Sequence, residues 1–251
     1  MRKVAGGCLV LGLLVIVVMP ARSDDQADVQ AIVDKAIKAT GGADKLAKYK
    51  AAIWKGKGKI NLMGNEIDFT VETATQPPKQ SRQKSEADFN GMKFERITVV
   101  NGDKGWITIM GNTDVMPDDQ MAAAKEELYG GWVSGLLAPL KDPAFKLAPL
   151  GEIKVGDRPA VGVKVSHKEH KDVNLYFDKD KGLLLKVQRR VKDMGGQDVD
   201  QETIFSDYQE ESGIQRPRKQ KTKRDGNDFL EIQITEFKSV DKLDDSTFAK
   251  P

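Results

Sequence analysis

The chain has 251 residues, with 40 Lys and Arg against 38 Asp and Glu, and a single cysteine, Cys8. So even a charge balance excludes the basic footprint of a nucleic-acid-binding protein, and one cysteine excludes a disulfide framework or a thiolate metal site within the chain. The length suits a single sandwich or barrel domain with a substantial core.

Arg2 and Lys3 open the chain, an apolar run follows from Leu9 to Met19 broken only by Gly12, and Ala21-Arg22-Ser23 offers small residues where a signal peptidase needs them. This pattern predicts an export signal over residues 1–23, cut before Asp24, and a periplasmic protein. The apolar run is short for a spanning helix of about 20 residues, and Pro20 ends it, although retention as an anchor stays open. Cys8 precedes most of the run, where a lipidated cysteine would follow it. The expected product, residues 24–251, is one near-neutral domain free of cysteine, so it has no thiol nucleophile and relies on packing for stability.

Val29, Ile32, Val33, Ala36 and Ile37 fall at helical spacing and Gly41-Gly42 stops the helix. A short second helix is expected over 43–50. Alternation then begins: 53–62 with Gly56 and Gly58, 66–75 with Ile67, Phe69 and Val71 on one face, 79–88 after Pro77-Pro78, and a hairpin of 92–100 and 106–110 across Asn101-Gly102. Residues 117–140 interrupt the pattern. Pro117 suits a first turn, and Met121, Ala124, Leu128, Trp132 and Leu136 advance along one stripe, so a helix is expected, broken near Gly130-Gly131. From 160 to 238 the strands resume: Val161, Val163 and Val165; Val173, Leu175 and Phe177; Leu183, Leu185 and Val187; 203–208; the basic segment 216–224; and Leu230, Ile232 and Ile234. The expected class is α+β, mainly antiparallel β. It is an open half-barrel of about eleven strands with an N-terminal helix and a helical lid inserted mid-chain.

Several segments resemble LolA-like proteins, the outer-membrane lipoprotein-sorting and lipid-carrier superfamily. They are the run Ala36 to Leu46 before the alternating residues 52–60, and Tyr176-Phe177-Asp178 before Gly182-Leu183-Leu184. Phe205-Ser206-Asp207-Tyr208 before Gly213-Ile214 and Pro217, and the closing Phe248-Ala249-Lys250-Pro251, complete the set. These motifs are structural punctuation, and none is catalytic. The resemblance implies a half-barrel, lidded by helices, whose apolar concavity shelters acyl chains during passage through the periplasm. It carries no cargo contact onto a residue of this chain.

The resulting reading is a monomeric, cofactor-free, non-enzymatic carrier of a lipid or acylated lipoprotein, served by a membrane donor or acceptor protein. Its candidate cavity wall is Trp54, Ile60, Leu62, Phe69, Val71 and Trp106, and its candidate lid is Met121, Leu128, Trp132 and Leu136. Each of these is equally at home in an ordinary core. Arg216, Arg218, Lys219 and Lys221, with Lys223 and Arg224, place cations on both faces of one strand. That suits an exposed edge strand, or docking to an anionic headgroup or membrane surface at about 1 kcal/mol per charge, with Arg189-Arg190 as an extension. The alternative is a sensor or interaction module that receives a protein segment on the same scaffold. Enzymatic readings find little support. His167 and His170 supply two of the ligands a metal needs and no third is evident. Ser134 in Gly-Trp-Val-Ser-Gly sits inside the expected helix, and the carboxylates are spread through turns.

Overall fold

The structure, a computed structural model, describes residues 23–62, 64–89, 91–136, 138–193 and 195–251. The expected leader lies outside these residues except for Ser23, with which the first helix begins. Among the described residues no helix is long and apolar enough to cross a membrane.

Helix α1 (Ser23–Thr40) buries Val29, Val33, Ala36 and Ile37 and gives way at Gly41-Gly42 to α2 (Ala43–Lys48). A first meander follows: β1 (Ala51–Leu62), β2 (Asn65–Gln76), β3 (Gln80–Phe89), β4 (Met92–Asn101), β5 (Lys104–Ile109) and β6 (Asn112–Val115). After α3 (Asp118–Leu136) comes a second: β7 (Phe145–Val155), β8 (Arg158–His167), β9 (His170–Asp178), β10 (Leu184–Lys192), β11 (Asp198–Glu211), β12 (Ile214–Arg224) and β13 (Asn227–Val240). The strands form one antiparallel sheet of thirteen, ordered β6-β5-β4-β3-β2-β1-β13-β12-β11-β10-β9-β8-β7. The chain thus forms an open half-barrel, as expected.

The two strands beyond the expected eleven are β6 and β7, the two edges of the sheet. Their sequences hide them for the reason edges are usually hard to read. β6 is only Asn-Thr-Asp-Val, and β7 carries Pro149 beside a register shift between Pro149 and Gly151, both of which discourage further pairing. The basic strand β12, by contrast, is no edge. It is paired along its length with β11 and, from Lys219 to Arg224, with β13.

Because β6 and β7 sit at opposite edges, the segment joining them has to cross a face of the sheet. Helix α3 makes that crossing without the expected break at Gly130-Gly131, and its 19 residues span roughly 28 Å at 1.5 Å per residue. Near its start, Met121 and Ala124 pack against Val100, Ile107 and Met116. Further on, Tyr129 and Val133 reach the group formed by Phe145, Val163, Val173 and α1.

The meanders are joined at β1 and β13, where Gly58 pairs with Ile232. A Cβ at Gly58 would stand 2.0 Å from the carbonyl oxygen of Glu231, so the close approach requires glycine there.

Register defines an inner face, covered by the helices, and an outer face. Across β13 to β5 the inner row runs Phe237, Trp54, Thr73, Gln83, Thr98, Ile107. On the outer face the C-terminal segment packs Leu243 and Phe248 against Ala51, Ala74 and Val99, and the Phe248 carbonyl accepts from Asn101 Nδ2 at 3.2 Å. A second outer cluster gathers Ala160, Tyr176 and Leu185 with Leu150, Ile153 and Val155. Leu185 reaches it because a register shift between Leu184 and Lys186 breaks the simple alternation of Leu183, Leu185 and Val187. Leu184 and Val187 face inward instead.

Candidate ligand-binding face

The inner face has two unlike halves. Over β7–β10 it is sealed: Val163, Val165, Val173, Leu175, Phe177, Leu184 and Val187 are all buried beneath α1 and the far end of α3. Over β1–β5 the same alternation goes largely uncovered. Ile60, Leu62 and Phe69 are half-buried, while Phe94 and Ile109 remain 44% exposed and Met92 69%. Register places Phe94 beside Ala87, and Ala87 beside Phe69, so these residues form a continuous apolar strip.

A cleft of about 1070 Å³ lies toward the β1–β2 and β3–β4 turns. Polar and charged residues of the outer face, among them Lys57, Lys59, Asp68, Glu86, Lys93 and Glu231, make most of its lining, and Phe69, Ala87 and Phe94 of the inner-face rows border it. That volume is ample for a small amphiphile. A smaller one of about 530 Å³ lies between Ala39, Arg158, Lys181 and Tyr208 and is polar in character.

Five of the six expected wall residues share the inner face: Trp54, Ile60, Leu62, Phe69 and Val71. Trp106 does not join them. It pairs with Val99 and packs in the outer cluster with Ile97 and the C-terminal Phe248, because its strand parity is opposite to that of Ile107. Of the expected lid, Met121 and Leu128 lie over the sheet, Leu128 buried and Met121 partly so. Trp132 meets Phe145 edge-on at 5.8 Å and therefore belongs to the sealed half, and the Leu136 side chain lies outside the described residues. Phe94, Ile109, Phe237 and Ile234 belong to the inner face and were not singled out beforehand. Counting parity outward from Phe69 through the hairpins finds Phe94, but only once the pairing register is known.

The lid is held at its middle by polar contacts. His170 Nδ1 lies 2.8 Å from Glu126 Oε1, the Lys171 amide donates to Glu126 Oε2 at 3.2 Å, and Arg189 donates to the Glu126 carbonyl at 3.2 Å and to the Glu127 carboxylate. Tyr129 stacks on the His170 ring at 3.8 Å, and burial pushes its phenol up to about 12. The two histidines thus form part of the seat of α3. Among the described residues no three His, Cys, Asp or Glu side chains gather as metal ligands. Ser134 Oγ donates to the Gly130 carbonyl at 2.8 Å inside α3, which agrees with its reading as a packing residue.

The four basic residues expected to dock a headgroup are divided between the faces. Lys219 and Lys221 point outward into ion pairs with Glu231 at 2.7 Å and Asp228 at 2.8 Å. Arg216 and Arg218 point inward, and Arg216 is buried with its guanidinium 4.9 Å over the Phe237 ring. Four buried polar atoms among the described residues lack a hydrogen-bond partner: Thr73 Oγ1, Tyr129 OH, Arg216 Nε and Arg218 Nε. Thr73, Arg216 and Arg218 lie on inner-face rows of the sheet.

No family model matches the sequence, and no curated protein does. Solved structures share its fold. A LolA superfamily protein, NE2245 from Nitrosomonas europaea, superimposes with a TM-score of 0.57 at 10% identity, covering 88% of this chain and 97% of that one. An outer membrane lipoprotein-sorting protein domain from Vibrio parahaemolyticus gives 0.55 at 10% identity, covering 89% and 97%. A DUF1329 family protein from Desulfovibrio piger gives 0.55 at 15% identity, covering 88% and 97%. The chain has a LolA-like fold, and the likeness extends over nearly all of each neighbour.

Proposed function

We propose that this protein is a periplasmic carrier that shelters the acyl chain of a lipid or lipoprotein against the inner face of β13 and β1–β5. It binds and releases without catalysis. The observation that supports this is the uneven covering of one continuous apolar face, sealed by α1 over β7–β10 and left exposed along Phe69, Ala87, Phe94 and Ile109. Trp54, Ile60, Leu62, Phe69 and Val71 serve as the wall, and Met121 and Leu128 of α3 as part of the lid. Each methylene removed from water is worth about 0.8 kcal/mol, so a chain laying about eight methylenes in the groove gains ~6 kcal/mol. Release requires that gain to be reversed, and α3, held by the polar contacts of Glu126 and Glu127, is the element able to open.

The test is to purify the protein from its native compartment, extract it with organic solvent and look for stoichiometric lipid by mass spectrometry, alongside uptake of an added fluorescent acyl probe. A defined acylated species near one per protein supports the carrier, and Phe69→Asp together with Phe94→Asp then reduces uptake while the fold persists by circular dichroism. A folded protein with neither lipid nor uptake overturns the proposal and favours a receptor for a protein segment.

A further inference from the structure

The inner side of β12 carries two guanidinium groups that the fold leaves partly unsatisfied, each at its Nε. Arg216 is only 7% exposed; its Nη1 donates to the Gly135 carbonyl at 3.2 Å, its Nη2 to Ser239 Oγ at a long 3.4 Å, and its Nε has no partner. The neighbouring carboxylate, Glu211, offsets part of the Arg216 charge through space but makes its hydrogen bonds to the Ser239 amide and hydroxyl at 3.2 and 2.7 Å. Arg218, two residues on and on the same face, likewise has a buried Nε without a partner. Three other arginines at partly buried contacts are provided for: Arg158 by Asp178, Arg189 by Glu127 and Glu126, Arg224 by Gln201. A buried guanidinium with an N–H left unpaired is costly, and two cations at alternate positions of one strand repel each other, so an oxyanion between them relieves both.

Their position matters as much as their charge. Strand β12 lies between the sealed half and the open half of the inner face, and Arg216 rests on Phe237, which pairs with Trp54 of the wall. From this point the apolar strip leads away through Val71, Phe69 and Ala87 to Phe94.

We infer that Arg216 and Arg218 form an internal anion site that grips the headgroup of an anionic amphiphile, its carboxylate or phosphate oxygens at the guanidinium forks and its acyl chain along the groove. The inference rests on the carrier reading and adds to it the charge and placement of the headgroup. The planar guanidinium fork suits either oxyanion, and the neutral chain-bearing analogue leaves both arginines unpaired.

The test measures displacement of a fluorescent acyl probe from the delipidated full-length protein by palmitate, hexadecyl phosphate, hexadecanol and inorganic phosphate. Palmitate or hexadecyl phosphate binds at least about tenfold more tightly than hexadecanol, and whichever is preferred identifies the headgroup. Arg216→Gln and Arg218→Gln abolish that preference while hexadecanol affinity stays within about twofold, Arg216→Lys retains part of it, and Lys219→Gln with Lys221→Gln on the outer face leaves it intact. If Arg216→Gln fails to fold, Arg218→Gln, at a less buried position, carries the comparison. Equal binding of palmitate, hexadecyl phosphate and hexadecanol, a preference that survives both arginine substitutions, or a site that takes inorganic phosphate with no gain from a chain each overturns the inference and leaves the carrier standing. Failure of every chain-bearing ligand to bind overturns both.

Discussion

The two halves of the inner face are built from the same alternating strands and come to opposite ends. Under α1, Leu175 and Phe177 are 0% and 1% exposed; on β4 and β5, Phe94 and Ile109 are each 44% exposed. The difference lies in what covers the strands. Helix α1 brings four buried apolar side chains, Val29, Val33, Ala36 and Ile37, to β7–β12. Helix α3 meets β4 and β5 only near its start, through Met121 and Ala124, before it crosses to the sealed side. An alternating strand supplies an apolar face, and the helix over it decides whether that face becomes core or surface for a ligand.

This comparison is most severely broken by truncating the sealed half. Phe177→Ala is expected to cost about 3–5 kcal/mol in urea unfolding, because it opens a void beneath α1. Next comes the seam between the meanders. Gly58→Ala drives a methyl group into the Glu231 carbonyl and is expected to cost about 1–3 kcal/mol, read as a lowered Tm with the circular dichroism spectrum unchanged.

A comparable or smaller loss, about 1–3 kcal/mol, is expected for Asp178→Asn, which removes the charge and leaves one acceptor oxygen where two served Arg158 Nε at 2.8 Å and the Asp180 and Lys181 amides at 2.9 and 2.6 Å. Burial pushes the Asp178 carboxyl up, but the Lys181 amide, Arg158 and the Asp180 amide outweigh it and hold the group below its ordinary value of 3.8. Its contribution is therefore complete above about pH 4 and is lost as pH falls through the depressed value. The Asn variant should flatten the acid limb of the stability curve, and an unchanged limb sinks this assignment. Phe94→Ala sharpens the contrast from the other side, changing stability by no more than about 0.5 kcal/mol while weakening acyl-probe binding.

Strands such as β2, β8 and β9 were legible because a two-residue period survives without knowledge of neighbours. The edges β6 and β7 were not, since a short polar strand and one interrupted by Pro149 carry little of that period. Site residues fared by the same rule. Ile60, Leu62, Phe69 and Val71 share a face within one hairpin, as their local spacing implies, whereas Trp106 is separated from them by several pairings and its parity puts it on the other side. The basic strand illustrates a different limit: its alternation of cations was visible, but a central strand and an edge strand look alike until their partners are known.

The sequence by itself determined the alternation, the turns and the two principal helices, because these depend on residues close together in the chain. It also determined that β12 carries basic residues on both faces. Tertiary structure alone decided that β1 pairs with β13, that β6 and β7 lie at opposite edges so that α3 has to cross the inner face, and that α1 seals only one half of it. These outcomes depend on long-range register and on which surfaces compete for a helix. The same competition left Arg216 and Arg218 on the inner face with no acceptor of their own at Nε.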